Sequence, residues 1–255
     1  MRLFFETLRE RNEILFYLGW VCLILGIACI ALSRFSSLQV AGVSAWYKPF
    51  KFFVSTTIFV WSMAWFLGYL PPSGMITAYS WGLVVLFTFE DLYILIQAGR
   101  GQLSHFNVAT PLLSYLWILM AFAALSISIW TLIISVPFFG TALNGLEDYY
   151  AWGIRLGVIG FVLFSIEGMA MGARMAHTVG AADGTAGLPL LNWSRTAGDL
   201  RVAHFLGMHA LQIIPLAAFY LIRNVKGTVV FGVIYLALVT FSFIQALRGK
   251  PLIGL

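Results

Sequence analysis

The sequence predicts an all-α membrane protein, a single bundle of seven transmembrane helices, on three observations. Residues of the AVILMFWYC set make up 61% of its 255 positions and charged residues only 10%, with a mean hydropathy of +0.92. Soluble domains run at about 45–50% apolar and about 25% charged. The apolar residues gather into seven stretches, each close to the ~20 residues a helix needs to cross the hydrocarbon core of a bilayer. None has the alternation over about 10 residues that marks the strands of a membrane barrel. The same composition excludes a disordered chain, a collagen-like fibre and a disulfide-stapled small domain.

Taken in order, the spans are expected at 14–33, 52–70, 77–98, 111–134, 151–173, 202–222 and 228–247. The first is not a cleaved signal: its apolar run is too long, Glu6, Glu10 and Glu13 precede it, and no small-x-small site closes it. It carries both cysteines, Cys22 and Cys29. Two helical turns hold them about 10 Å apart, so they cannot bond to each other and read as packing or lipid-facing residues. Segment 34–51, with Trp46, Tyr47, Lys48 and Lys51, reads as an interfacial connection with snorkelling lysines. Pro71-Pro72-Ser73-Gly74 makes a tight turn into the third span, and 223–227 another into the seventh. Gly153, Gly157, Gly168, Gly172 and Ala176 recur at helix-packing spacing. The longest connection, 177–201, holds Gly180, Asp183, Gly184 and Gly187, then the apolar run Leu188-Pro189-Leu190-Leu191-Asn192-Trp193. Being about half apolar, it is expected to fold back onto the bundle as a lid. Pro215 is expected to kink the sixth span. No repeat divides the chain, so 1–255 reads as one transmembrane domain.

The net charge of +5 suits loops that meet anionic headgroups and is no nucleic-acid footprint. Of the fifteen Lys and Arg, Arg2, Arg9, Arg11, Arg155, Arg223 and Lys226 fall on the side of the N-terminus and the other nine on the opposite side. The positive-inside rule makes that opposite side cytoplasmic.

Ionisable residues inside a membrane cost several kcal/mol and mark functional sites. Those of this chain share one depth. Glu90 and Asp91 lie about 14 Å before Arg100, and Glu167 about 10 Å before Arg174, at 1.5 Å per residue. His105 and His177 follow the ends of the third and fifth spans, His204 begins the sixth, and His209 lies about 7 Å deeper in an apolar run. Glu90, Tyr93, Gln97, Arg100 and Ser104 form a stripe if the third helix continues past Gly101. Glu167, Met171 and Arg174 share a face, as do His204, Met208 and Gln212. Together they predict a one-sided pocket shared by the third, fifth and sixth spans, with Arg201 at its rim.

The stretches Glu167-Gly168, Arg174-Met175-Ala176-His177, Leu188 to Ser194 and His204-Phe205-Leu206-Gly207-Met208-His209-Ala210-Leu211-Gln212 resemble a bacterial multi-pass membrane family of unassigned activity. The resemblance implies a bacterial inner-membrane location and carries no site residues.

The residues themselves admit several chemistries. His209 with His105 or His177 could ligate haem b or another transition metal, with His204 in reserve, Arg100, Arg174 or Arg201 at the propionates, and quinone as redox partner. That redox reading leads. Alternatively Glu90, Asp91 and Glu167 exchange protons in a carrier whose arginines hold a small anionic solute. A zinc hydrolase would need a His-x-x-x-His pair on one face, and the spacing from His204 to His209 is five. A scaffold subunit would use the same groups only to lock the bundle.

Overall fold

A computed structural model describes residues 2–140, 143, 145–184 and 187–253. The chain is an all-α multi-pass membrane protein. Among the described residues six helices are long and apolar enough to cross a membrane, and a bent pair makes a seventh. The chain divides into two compact units, Met1–Ile127 and Ser128–Leu255.

In the first unit, helix α1 (Arg2–Arg11) buries Leu8 and leaves Leu3, Phe4, Arg9 and Glu10 exposed. Asn12 ends it and caps α2 (Glu13–Phe35), its Oδ1 accepting Leu15 N–H at 3.0 Å. A two-residue ladder, β1 (Gln39–Val40) against β2 (Val43–Ser44), lies within the connection read as interfacial. Helix α3 (Tyr47–Leu67) begins five residues before the expected 52, so Lys48 and Lys51 stand in its first turns. Pro49 permits this because first-turn N–H groups have no helical partner to lose. α4 (Gly74–Gly99) stops where Arg100 caps it and Gly101 turns to a φ of +66°. The expected stripe therefore ends at Arg100, and Ser104 lies beyond the helix.

Hydrophobic driving force is weak between helices in lipid, so close approach decides packing. Gly19 of α2 receives the Trp61 indole of α3, whose Nε1 donates to the Phe16 carbonyl at 3.1 Å. Asn12 Nδ2 donates to Ser80 Oγ of α4 at 2.8 Å. Where α1 meets α2, α3 and α4, a groove of about 620 Å³ opens beside Glu10, Arg11 and Glu13. The Arg11 guanidinium carbon lies 4.0 Å from the Trp65 ring centre and 4.1 Å from that of Tyr69.

The division between units falls within α5 (Pro111–Ser135), which α6 (Pro137–Gly140) follows. In the second unit α7 (Asp148–Glu167) continues through Gly168 into α8 (Met169–Arg174). Then come β3 (Thr178–Val179), β4 (Gly198–Asp199), α9 (Leu200–Met208), α10 (Ala210–Ala217), a π-helical turn over Ala218–Ile222, and α11 (Val225–Leu247). α9 and the helix running Ala210–Ile222 bend by 46°. The bend sits at His209, six residues before the expected Pro215 kink. Gly207 and Pro215 flank it, one weak in helix propensity and the other unable to donate back to residue 211.

Gly153, Gly157 and Gly160 let α7 meet the backbone of α10. A Cβ at Gly157 would lie 2.9 Å from the Ala210 carbonyl oxygen, and one at Gly160 2.6 Å from Ala210 Cβ. The described residues of the connection 177–201 are held by backbone pairing. β3 pairs antiparallel with β4, Gly187 bridges to Ser194, and the Trp193 ring packs edge-on to Phe205 at 5.5 Å. Its Thr185 and Ala186 lie outside the described residues.

Candidate functional site

The predicted site residues fall into two groups by unit. In the first, Glu90 and Asp91 are buried on α4, at 8% and 3% exposure. Asp91 Oδ2 accepts the Cys22 thiol of α2 at 3.8 Å, and the Thr56 hydroxyl of α3 also bonds to the carboxylate. Asp91 Oδ1 has no hydrogen-bond partner among the described residues. Arg100 is exposed at the end of α4 and makes no described ion pair with either acid. His105 sits among aromatic rings, 5.6 Å from Phe52 and 5.5 Å from Trp117, with Nδ1 3.2 Å from Ser104 Oγ.

In the second unit the backbone stays helical through Gly168, at φ −53° and ψ −24°, and Asp148–Arg174 runs as one span. Arg174 is exposed at the end of α8 and makes no described ion pair with Glu167. Glu167 instead faces His204 of α9. His204 Nδ1 lies 2.7 Å from the Phe164 carbonyl oxygen and 3.8 Å from Glu167 Oε2. The first contact fixes Nδ1 as the protonated nitrogen, because a carbonyl oxygen only accepts. The imidazole lies directly over Gly168, where a Cβ would come within 2.5 Å of it. The Glu167 side chain is 7% exposed. Neither of its oxygens has a hydrogen-bond partner among the described residues.

The bend at His209 breaks the face expected to join His204 to Gln212. His209 Nδ1 pairs with Gln212 Oε1 at 3.1 Å, and its ring packs on Phe205 at 4.3 Å. Arg201 is committed. Its guanidinium grips the Asp199 carboxylate at 2.9 and 2.6 Å and donates to the Asn192 carbonyl. Asp199 also caps α9 and accepts Ser194 N–H at 2.8 Å. Arg201 thus ties the loop to the helix start.

His177 belongs to the loop side of this cluster. Its Nδ1 lies 2.8 Å from Asp183 Oδ2. The same carboxylate accepts His177 N–H at 2.9 Å and Thr178 N–H at 2.9 Å. Partial burial pushes the Asp183 carboxyl up, but the His177 ring and these N–H groups outweigh it and hold the carboxyl well below the usual range. Asp183 and Asp199 were visible in the sequence only as loop residues. Their partners come from the β3–β4 ladder, which two-residue strands do not announce.

The structure therefore brings Glu167 and His204 together, and the His177 carbonyl accepts Leu200 N–H at the start of α9. It leaves Arg174 exposed, occupies Arg201, and pairs His209 with Gln212. Among the described residues no three His, Cys, Asp or Glu side chains converge so as to hold a metal ion. Comparison with protein-family models, curated proteins and solved structures finds no match.

Proposed function

We propose that the protein is a proton-coupled membrane carrier of small anionic solutes, with Glu167 as the group that takes up and releases the proton. The observation that carries the reading is the buried Glu167 carboxyl inside a membrane-spanning segment, with His204 at 3.8 Å and no hydrogen bond to either oxygen among the described residues. A scaffold that used its acids only to lock the bundle would pair this one, since an unpaired carboxylate there costs several kcal/mol and an apolar residue would pack better.

His204 supplies the proton path. Its Nδ1–H is held by the Phe164 carbonyl, and a shift of about 1 Å brings it within hydrogen-bonding reach of Glu167 Oε2. His204 sits about one turn before the bend at His209. Discontinuous helices at a buried polar site are how carriers expose one site to alternating sides. Arg174, exposed at the end of α8, is a cation with no described ion-pair partner for an anionic solute to displace.

The test is proton movement in vesicles. Protein reconstituted with an internal pH-sensitive dye and a valinomycin-clamped potential, negative inside, is expected to acidify the lumen when inorganic phosphate or sulfate is added outside as the probe anion. Glu167→Gln is expected to slow this by about 100-fold, the range over which a positioned proton-transfer group acts. Wild-type vesicles no faster than empty ones, or a Glu167→Gln rate equal to wild type, would overturn the proposal.

A further inference from the structure

We infer that Asp91 is a second proton-binding site of this chain, a carboxyl of the first unit that takes up and releases a proton at mid-membrane while the Cys22 thiol and the Thr56 hydroxyl hold it. The inference stands on the first unit alone and does not rest on the reading of Glu167.

The packing of three helices places the acid. Along α2 the small residues Gly19, Cys22, Gly26 and Cys29 follow at intervals of three, four and three, so they form one stripe, and all four are buried. α3 runs along that stripe in the opposite direction. A Cβ at Gly19 would meet the Trp61 ring, and one at Gly26 would lie 3.4 Å from Phe53 Cβ. Thr56 and Thr57 fall between those two contacts, level with Cys22. Thr57 Oγ1 lies 3.1 Å from the Gly19 carbonyl oxygen and 2.9 Å from that of Phe53, so it is spent on the backbone, and Thr56 is the hydroxyl that bonds to the acid. α4 runs beside α2 in the same direction. Asn12 Nδ2 reaches Ser80 Oγ near the start, and ten residues further along α2 the Cys22 thiol reaches Asp91 Oδ2 at 3.8 Å. At 1.5 Å per residue Cys22 is about 14 Å into α2, near the middle of a ~30 Å hydrocarbon core.

The polar contacts fit a group with two states. Asp91 is 3% exposed, and its Oδ1 has no hydrogen-bond partner among the described residues. A carboxyl that stayed ionised would need a cation, and none of the described ion pairs includes this one. One that stayed protonated would need an acceptor for its O–H, whereas the side chains bonded to it are a thiol and a hydroxyl that donate. Those donors stabilise the carboxylate, and the bare Oδ1 is where the proton binds. On binding, one O–H bond forms at Oδ1 and the negative charge is cancelled; no electrons move. A hard metal cation would need several oxygen ligands there, and a proton needs one.

Few other charges face it. On α4, Glu90 is adjacent in sequence, 8% exposed and about 100° round the helix; Tyr93 follows two residues on, and Arg100 stands at the helix end. On α2 the titratable group beyond Cys22 is Cys29, two turns along the stripe. On α3, Lys51 stands five residues before Thr56 and Lys48 eight, toward the helix start. α5, which meets Tyr93 and Ile94 through Met120, carries Tyr115 as its titratable side chain.

The Cys22 thiol reports the state of Asp91, because its S–H stretch falls in frequency when the accepting oxygen becomes charged. The full chain has two cysteines. Cys29→Ala therefore leaves Cys22 as the thiol observed, and Glu167→Gln in the same protein removes the other proposed proton site. Infrared spectra are recorded in lipid nanodiscs from about pH 5 to about pH 9. The S–H band is expected to move down reversibly as pH rises, in step with the loss of a protonated-carboxyl band. Both changes are expected to vanish in Asp91→Asn and to persist in Glu90→Gln. Replacing sodium by N-methylglucamine at fixed pH is expected to move neither band. An S–H band that stays fixed across the range, changes that survive Asp91→Asn or are lost in Glu90→Gln, or a band that follows sodium at fixed pH would each overturn the inference. The first of these results needs no substitution at Asp91, so it decides the matter even where Asp91→Asn fails to fold. A negative result leaves the reading of Glu167 untouched, since that carboxyl is absent from the protein tested.

Discussion

Adding one methyl at Gly168 tests whether the position of the His204 ring controls the site. In Gly168→Ala the new Cβ would lie 2.5 Å from His204 Cε1, 2.7 Å from Nδ1 and 3.0 Å from the Ser165 carbonyl oxygen. The backbone at Gly168 has φ −53° and ψ −24°, which alanine adopts freely. The strain therefore falls on the imidazole, which must retreat about 0.9 Å to reach ordinary contact at about 3.4 Å. A retreat of that size stretches the 2.7 Å bond to the Phe164 carbonyl past hydrogen-bonding range and takes Nδ1 farther from Glu167. The lost buried hydrogen bond costs about 1–3 kcal/mol, and alanine's helix propensity returns about 1 kcal/mol. The net loss of stability is small, about 1 kcal/mol. Proton transfer depends on alignment to tenths of an ångström and is expected to fall much more, by about 100-fold in the vesicle assay. Thermal unfolding in detergent reports the first quantity and dye acidification the second. The double variant Gly168→Ala with His204→Gln should be no slower than His204→Gln alone, since both act on one ring. A Gly168→Ala protein with wild-type flux beside a slow His204→Gln would refute the reasoning.

Three further outcomes are expected. Arg201→Met strands the Asp199 carboxylate, 1% exposed, and should destabilise the β3–β4 loop by about 3 kcal/mol, seen as faster amide exchange at Thr178 and Leu200; unchanged exchange would contradict the assigned role. Asp183, whose carboxyl is depressed by its bonds in the fold, contributes stability that is fully present above the ordinary carboxylate range near pH 4 and is lost only as pH falls through its lower folded value. Protection of the Thr178 amide should hold from pH 7 to pH 4 and weaken only below that, and a loss centred near pH 6 would show that another group holds the loop. Cys22 and Cys29, at 3% and 2% exposure, should resist maleimide in the folded protein and react once it is unfolded in SDS; rapid labelling of the native protein would place them on an open face instead.

The spans were legible in the sequence because a bilayer sets their length and excludes charge, and little else produces seven such runs. What stayed hidden depended on contacts between distant residues. Gly168 read only as a packing glycine, and its second role shows when His204 is seen lying over it. The bend at His209 was expected at Pro215, since proline announces itself and close packing of Gly207 against Phe164 does not. Arg201 looked available for a ligand because its partner, Asp199, lies in a loop whose ladder is only two residues long. Glu167 and His204 stood out in the sequence by the cost of placing them in an apolar span, although nothing in their spacing said that they meet.

The central claim is that the Glu167 carboxyl gains and loses a proton in the folded protein. Infrared difference spectra across a pH titration in lipid nanodiscs report this directly through the carbonyl stretch of a protonated carboxyl. A band that appears reversibly on acidification, disappears in Glu167→Gln and shifts in His204→Gln is the predicted result. A titration spectrum identical in wild type and Glu167→Gln would mean that this carboxyl never changes state and would contradict the account.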